Sequence, residues 1–371
     1  MTTDPSVGDP ARPYDAVLLL SFGGPERLED VMPFLRQVTA GRGIPDERLA
    51  VVGEHYVARG GKSPVNDLGR ALAAALRTEL AARGADLPVE LGNRNWAPWA
   101  ADTLRELHDG GARRVVTVLT SAYSSYSSCR QYREDLAGAQ GTLADEGRSV
   151  TLDKVRPYWS HPGFADTMAD LVADTVAAIP AERHATTHVA YVTHSIPTWM
   201  QESSGPPDDP AESYQAQHER LAARCDEVVR RRATALPSSL VYCSRSGPPQ
   251  QPWLEPDVND HLESLAAAGA TDVVLAPIGF VSDHMEVVHD LDTEAAATAR
   301  RLGITAHRVP TVGTHPAFVA GLADLVLERA AQARGEQPDR PAVDGRPLWS
   351  TCPRDCCLGR APRAALCGAD G

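Results

Sequence analysis

The sequence has 371 residues, of which 43% are hydrophobic, 23% charged and 5% aromatic. This length and composition suit a globular protein of two domains or one large one, and they exclude disorder over most of the chain. Lys and Arg total 36 against 49 for Asp and Glu, which gives a net charge of −13. That charge argues against a nucleic-acid groove or an anionic membrane as partner, and it leaves room only for a local basic pocket.

The sequence also indicates a cellular compartment. No apolar stretch approaches the roughly 20 residues that a membrane helix needs, so we expect no integral membrane segment. Residues 1–12 are polar and contain prolines instead of a charged and then apolar leader, and seven cysteines are too few for a disulfide scaffold in a chain of this length. We therefore expect a cytoplasmic protein.

Short runs rich in leucine and β-branched residues alternate with longer alanine-rich amphipathic stretches. Several of the runs are apolar throughout, as parallel strands covered by helices on both faces require. The predicted strands are Val17–Ser21, Pro88–Gly92, Arg114–Thr120, Val150–Val155, His188–Thr193, Ser239–Cys243, Asp272–Pro277 and Ile304–Val309. The predicted helices include Asn66–Arg83, Ala100–Asp109, Pro162–Ala178, Ala211–Arg232, Asp257–Ala267 and Pro316–Arg334.

This alternation predicts an α/β fold. Eight strands could close a barrel, but two open sheets of four fit the length equally well, and we favour two Rossmann-like halves, each a four-stranded parallel sheet flanked by helices. The first half would comprise residues 14–123 and 310–334, and the second residues 124–309. Residues 335–371 would form a linker and a cysteine-rich tail.

The loops that follow the strands are rich in Ser, Tyr, His and Gly, and ligands of open α/β folds bind at this edge. None of these loops carries a dinucleotide fingerprint, a phosphate-binding Walker loop or a serine-hydrolase elbow. Instead, His194 follows the fifth strand, and Asp283, His284 and Glu286 follow the seventh. His194 and Glu286 could share a metal ion or move protons, whereas the alternative is that they only cap a strand and a helix. We assign Asp283 and His284 to supporting roles.

Two further loops carry groups that suit a substrate carboxylate. The Tyr123–Tyr132 loop is rich in tyrosine and serine, and the Arg59–Pro64 turn is hinged by glycines. Both could also be solvated turns. The candidate members of a local basic pocket are Arg59, Lys62, Arg130 and Arg133.

Four of the seven cysteines lie in the last twenty residues of the chain. Their spacing lacks the two Cys-x-x-Cys pairs of a common zinc site, which leaves a Cys-ligated metal centre of another kind or a tail of adventitious thiols. We favour an iron–sulfur cluster with Cys352, Cys367 and one of Cys356 and Cys357 as ligands. Cys129, in a loop of the functional edge, is the best fourth ligand.

The loop motifs resemble those of the ferrochelatases, and more narrowly those of the actinobacterial coproporphyrin III ferrochelatases. The resemblance extends from about residue 14 to residue 334 and depends on the motifs Leu18–Pro25, Gly60–Pro64, Gly92–Trp96, Thr193–Pro197, Ser246–Pro249 with Pro252–Leu254, and Gly279–Val287. It implies two Rossmann-like domains around a porphyrin, a carboxy-terminal helix that crosses back to the first domain, and insertion of Fe²⁺ into coproporphyrin III in haem biosynthesis.

The resemblance also implies individual roles. His194 and Glu286 would bind the metal and accept protons, Ser63 and Tyr132 would contact the porphyrin, and Cys129, Cys352, Cys357 and Cys367 would hold a [2Fe–2S] cluster, with Cys356 interchangeable with Cys357. Some relatives have a tyrosine where Phe22 stands, and phenylalanine cannot ligate the product iron. The alternatives are a protoporphyrin IX ferrochelatase, a cobalt or nickel chelatase, and a non-catalytic tetrapyrrole carrier. Other haem-pathway enzymes are possible partners.

Overall fold

The computed structural model describes residues 8–41, 43–247, 250–361 and 363–369. The last two residues of the Ser246–Pro249 motif and the end of the cysteine tail therefore lie outside the described residues.

The first sheet consists of β1 (Ala16–Ser21), β2 (Val89–Asn93), β3 (Arg114–Leu119) and β4 (Thr151–Lys154) in the order β2-β1-β3-β4. All its pairings are parallel.

Helices cover both faces of this sheet, which explains why β1 is apolar throughout. The helices on the sheet are α3 (Val65–Ala82), α4 (Ala100–Asp109) and α5 (Gln131–Asp145), whereas α1 (Val31–Val38) and α2 (Asp46–Val57) pack on each other in a separate cluster. Val17 and Leu19 of β1 belong to the core formed with α3, whereas Leu18 and Leu20 belong to the core formed with α4 and α5. Because successive strand side chains point to opposite faces, each face buries an apolar set.

The second sheet repeats the first. It consists of β5 (Thr187–His194), β6 (Ser238–Cys243), β7 (Asp272–Ala276) and β8 (Thr305–Arg308) in the order β6-β5-β7-β8, again all parallel. The remaining helices are α6 (Pro162–Ala177), α7 (Thr198–Glu202), α8 (Tyr214–Arg232), α9 (Val258–Ala267), α10 (Met285–His289), α11 (Ala296–Leu302) and α12 (Pro316–Ala333). Helices α6 and α8 pack on one face, and α9 and α11 on the other.

The architecture confirms the prediction of two open four-stranded sheets, and the barrel alternative is wrong. All the predicted strands are present within two residues of their expected bounds. One element contradicts the predicted domain ranges: β4 pairs with β3 in the first sheet, although residues 124–309 were assigned to the second half. The boundary was placed too early, because the loop before α5 leads into the crossover helix that the parallel strand β4 requires. The other boundaries stay a prediction.

Helix α12 connects the end of the second half to the first. It packs on α3, β3 and α6, and it crosses α6 so closely that a Cβ on Gly163 would lie 2.7 Å from the Cα of Gly321. The buried Arg156 Nε donates to a Glu328 carboxylate oxygen at 2.9 Å, and Arg156 Nη2 donates to the Pro341 carbonyl oxygen at 2.8 Å. The residues after α12 therefore pack along the body. Among the described residues, no helix is both long and apolar enough to cross a membrane.

Candidate active site

His194 is the last residue of β5, and its position is fixed by the residues around it. Its Nδ1–H donates to the carbonyl oxygen of Ser195, and Tyr214 donates its hydroxyl to the His194 carbonyl oxygen at 3.0 Å. Ser195 is held in turn, because its Oγ donates to the Leu254 carbonyl oxygen at 2.8 Å. Since a carbonyl oxygen only accepts, Nδ1 carries the proton and the lone pair of neutral His194 lies on Nε2.

Glu286 lies opposite that lone pair, in the first turn of α10. Its Oε2 is 3.6 Å from His194 Nε2, and the side chains of His194 and Glu286 are 33% and 55% exposed. Burial would lower the pKa of His194, but the Glu286 carboxylate outweighs it and raises that pKa. Burial would raise the pKa of Glu286, but His194 outweighs it and lowers that pKa. The structure thus brings the two predicted residues together as an accessible base and carboxylate.

The residues just before Glu286 have local structural roles. Asp283 accepts from Arg308 Nη2 at 2.7 Å, and the His284 side chain accepts from the Val287 N–H at 3.4 Å, which caps α10. Both side chains thus hold the chain just before Glu286, and their supporting roles at the site stay a prediction.

A second polar group follows on the same stretch of chain, and sequence reasoning missed it. Ligand atoms of His289, Asp290 and Glu294 lie within 4.8 Å of one another. Residues Asp290–Ala295 form a π-helical turn, a rare conformation that is frequent at functional sites. Burial raises the pKa of Asp290 to about 6. The signal in the sequence was the four-residue spacing of Glu286, Asp290 and Glu294, which gives neighbouring positions on one face of a helix.

An aromatic cluster from the first half lies against this region. Phe34 makes edge-on contacts with Phe22, Tyr56 and Trp96 at centroid distances of 6.1–6.4 Å. Met285, the residue before Glu286, is buried in the same cluster. Phe22 is 40% exposed. The candidate metal-binding groups therefore lie beside apolar rings, a combination that suits a flat apolar ligand.

Ser63 and Tyr132, the predicted porphyrin contacts, are both buried near the end of β1. The Ser63 N–H donates to the Pro25 carbonyl oxygen at 2.9 Å, and Ser63 packs so closely on Gly24 that a Cβ there would come within 2.7 Å of the Ser63 Cβ. The Arg94 guanidinium lies over the Tyr132 ring at 4.3 Å and over the Phe22 ring at 5.9 Å. Ser63 and Tyr132 thus surround the Phe22 loop, and their contact with a porphyrin stays a prediction.

The four predicted cations do not share one pocket, so that prediction is wrong. Lys62 pairs with Asp67, and Arg59 reaches across to Thr293 Oγ1 at 2.8 Å. Arg130 and Arg133 are buried and donate to the carbonyl oxygens of Arg363 and Leu366 in the tail, at 3.2 Å and 2.5 Å. The guanidinium groups of Arg130 and Arg133 were predicted to bind a substrate carboxylate. In the fold they bind the cysteine tail, which is more than 200 residues away in the chain.

A family model described as Ferrochelatase matches residues 14–330. The chain belongs to the ferrochelatase family. It is 53% identical over 365 residues to the coproporphyrin III ferrochelatase of Streptomyces coelicolor and covers 97% of both chains. It is 52% identical over 367 residues to the coproporphyrin III ferrochelatase of Streptomyces griseus, with 98% of both chains covered. Among solved structures, SirB from Bacillus subtilis with Fe³⁺ overlaps 86% of this chain and 97% of its own at a TM-score of 0.49 and 13% identity.

This ferrochelatase family member has a second candidate centre in its cysteine tail. Cys129 lies in a π-helical turn, Tyr126–Arg130, and forms one buried cluster with Cys352, Cys356 and Cys357. The sulfur atoms are 3.9 Å apart for Cys129 and Cys352, and 3.6 Å apart for Cys356 and Cys357. Hydrogen bonds from Cys129 and Cys356 lower the pKa of Cys352. The four buried cysteines therefore lie next to one another in two close pairs.

The predicted ligands Cys357 and Cys367 differ in their surroundings. Cys357 Sγ accepts the N–H of Gly205 at 3.2 Å. Cys367 lies at the edge of the cluster, where its Sγ donates to the Leu152 carbonyl oxygen at 3.5 Å and its own carbonyl oxygen accepts the Cys352 N–H at 3.0 Å. The other two cysteines, Cys225 and Cys243, are buried in the cores of the second half.

Proposed function

We propose that this protein inserts Fe²⁺ into coproporphyrin III to form Fe-coproporphyrin III, as a lyase of haem biosynthesis. The observation that carries the proposal is the His194–Glu286 pair, 3.6 Å apart, at the end of two neighbouring strands of a ferrochelatase fold. The relatives described as coproporphyrin III ferrochelatases support the choice of porphyrin, because their similarity extends over nearly the whole chain.

The pair has the properties that metal insertion needs. Two pyrrole N–H protons must leave the porphyrin as iron enters, and neutral His194 offers the Nε2 lone pair to accept a proton. Glu286 stabilises the imidazolium that forms, and its carboxylate oxygens are also ligands for the incoming ion. The acidic side chains of Asp290 and Glu294 extend the negative surface from Glu286 along the chain, which attracts a divalent cation.

The substrate preference is tested with a panel of porphyrins and metals. Under anaerobic conditions we expect Fe²⁺ insertion into coproporphyrin III to be faster than into protoporphyrin IX, and Fe²⁺ to be inserted faster than Co²⁺ or Ni²⁺ at equal concentration. Faster use of protoporphyrin IX would reassign the porphyrin, and faster use of cobalt or nickel would reassign the metal. Tight binding of Fe-coproporphyrin III without insertion of any metal would indicate a carrier.

A second prediction concerns the protonation of His194. In the metal-free protein its pKa should lie above about 6.5 and should fall in Glu286→Gln, because burial then acts without the opposing carboxylate. Since the neutral imidazole accepts the proton, wild-type insertion should decline as the pH falls through the raised pKa, and Glu286→Gln should shift this decline to lower pH.

This pKa is measurable by NMR titration of the histidine ring. Glu219→Gln on α8 is the matched control, because Glu219 contacts Gln215 and is not part of the pair. A His194 pKa that stays unchanged or rises in Glu286→Gln would contradict the assignment. Asp290, whose pKa is about 6, titrates in the same range and is followed separately.

We also propose a [2Fe–2S] cluster on Cys129, Cys352, Cys357 and Cys367, with Cys356 as the alternative to Cys357. Support comes from the convergence of the buried thiols and from the Gly205 N–H that bonds to Cys357 Sγ. When bound, such a cluster exchanges one electron. The tail packs against α7 and the segment after it, because Arg360 lies over the Trp199 ring at 4.6 Å and the Cys357 N–H donates to the Gly205 carbonyl oxygen at 3.1 Å.

The proposed compartment is the cytoplasm. None of the seven cysteines is in a disulfide. This is the usual state of cysteines in a reducing compartment. Enzymes that supply coproporphyrin III or consume the iron product are the proposed partners.

A further inference from the structure

Lysine is nearly absent from this sequence: 34 of its 36 basic residues are arginine, and Lys62 and Lys154 are the two lysines. Lys154 ends β4 and is 1% exposed. Its Nζ donates to the Val155 carbonyl oxygen at 3.3 Å, and among the described residues no carboxylate lies within 4 Å of it. A buried ammonium without an anionic partner is costly, so its surroundings should supply one.

The surroundings of Lys154 are the cysteines. Lys154 and Cys129 line the same small cavity beside β4, and Cys367 donates its Sγ–H to the carbonyl oxygen of Leu152 on the same strand. The backbone joins these cysteines to Cys352, because the Cys352 N–H donates to the Cys367 carbonyl oxygen at 3.0 Å. The neighbouring Asp153 is bound elsewhere, to Arg114 and Arg329.

Charge counting shows why a cation is needed there. A [2Fe–2S] cluster with four thiolates carries two ferric ions, two sulfides and four thiolates, a net charge of −2. One electron from an external reductant converts one ferric ion to ferrous and makes the charge −3. A fixed positive charge nearby stabilises the more negative form to a greater degree.

We propose that Lys154 is the buried counter-cation of the cysteine centre and that it raises the reduction potential of the cluster. This proposal rests on the [2Fe–2S] cluster of the proposed function. Lys154 acts through its charge on the reduction potential of the cluster, and it takes no part in iron insertion.

The test is a redox titration of the full-length protein, purified anaerobically with its cluster and followed by the EPR signal of the reduced form. At the potential where the wild-type cluster is half reduced, the ratio of reduced to oxidised cluster should fall at least about tenfold in Lys154→Met, which corresponds to about 59 mV for a one-electron couple. Lys154→Arg keeps the charge and should stay within about twofold of wild type. Arg148→Gln is the matched control, because it removes a cation that is paired at the surface with Asp109 and Glu146. Its ratio of reduced to oxidised cluster should also stay within about twofold of wild type.

The outcomes separate the two proposals. A wild-type protein without a cluster overturns both, whereas a loaded Lys154→Met protein with an unchanged potential overturns only the role of Lys154. If Lys154→Met and Lys154→Gln fold but hold no cluster while Lys154→Arg does, the charge is required for assembly and the counter-cation role is supported. If Lys154→Arg folds and is also colourless, the position acts through its shape and the proposal is wrong.

Discussion

Replacing His194 with alanine should lower the rate of iron insertion about 10²- to 10⁴-fold, the range expected when a general base is removed. The variant loses the Nε2 lone pair that faces Glu286, and the carboxylate loses the imidazolium that would pair with it after proton transfer. Porphyrin binding should change little, because the aromatic cluster around Phe22 and Phe34 is untouched. The measurements are kcat for Fe²⁺ with coproporphyrin III and the quenching of porphyrin fluorescence on binding.

His188→Gln is the matched control, since His188 lies on the same strand and contacts Ser239 Oγ at 3.1 Å, away from Glu286. It should retain near wild-type insertion. An insertion rate for His194→Ala equal to that of the wild type would remove His194 from the reaction. Equal and negligible rates in both proteins, with tight binding of the iron product, would instead favour the carrier hypothesis.

The second large effect is expected at the cysteine centre. Cys352→Ser should abolish the visible absorption of the anaerobically purified protein and reduce its bound iron from about two atoms per chain to none. Cys352 lies between Cys129 and Cys356 in the thiol contacts, so its loss divides the cluster. Truncation after Arg334 should have the same effect on colour and iron, because it removes all four tail cysteines.

Cys225→Ala is the control for this experiment, because Cys225 is buried on α8 in the core of the second half. It should stay coloured, with full iron content and only the small destabilisation of a conservative core substitution. Colourless wild-type protein from an oxygen-free preparation would contradict the cluster proposal. Comparison of Cys356→Ser with Cys357→Ser then identifies the third tail ligand, and we expect Cys357→Ser to lose the colour.

The strands were predictable because the physical signal is strong. Strands such as β1 and β7 are buried on both faces and are therefore apolar throughout, which separates them from the amphipathic helices around them. Parallel strands end at a common edge, so the positions of His194 and Glu286 after β5 and β7 were sufficient to predict their proximity.

Other elements lack such a signal. Helix α2 exposes Val51, Val52 and Val57, so its apolar residues do not mark the buried face. Strand β4 is short, with Asp153 and Lys154 among its four residues, and its pairing with β3 depends on the crossover through α5. The partners of Arg130 and Arg133 could not be predicted, because contacts with the tail depend on how distant segments fold together.

The matching strand orders of the two sheets have a further consequence. In each half the segment after the third strand contains a π-helical turn, Tyr126–Arg130 after β3 and Asp290–Ala295 after β7. The first turn carries Cys129 and the second carries Asp290 and Glu294. An internal duplication of an ancestral half leaves this kind of correspondence. Equivalent turns of the two halves thus carry different donor chemistry, a soft thiol at Cys129 in the first and hard carboxylates at Asp290 and Glu294 in the second.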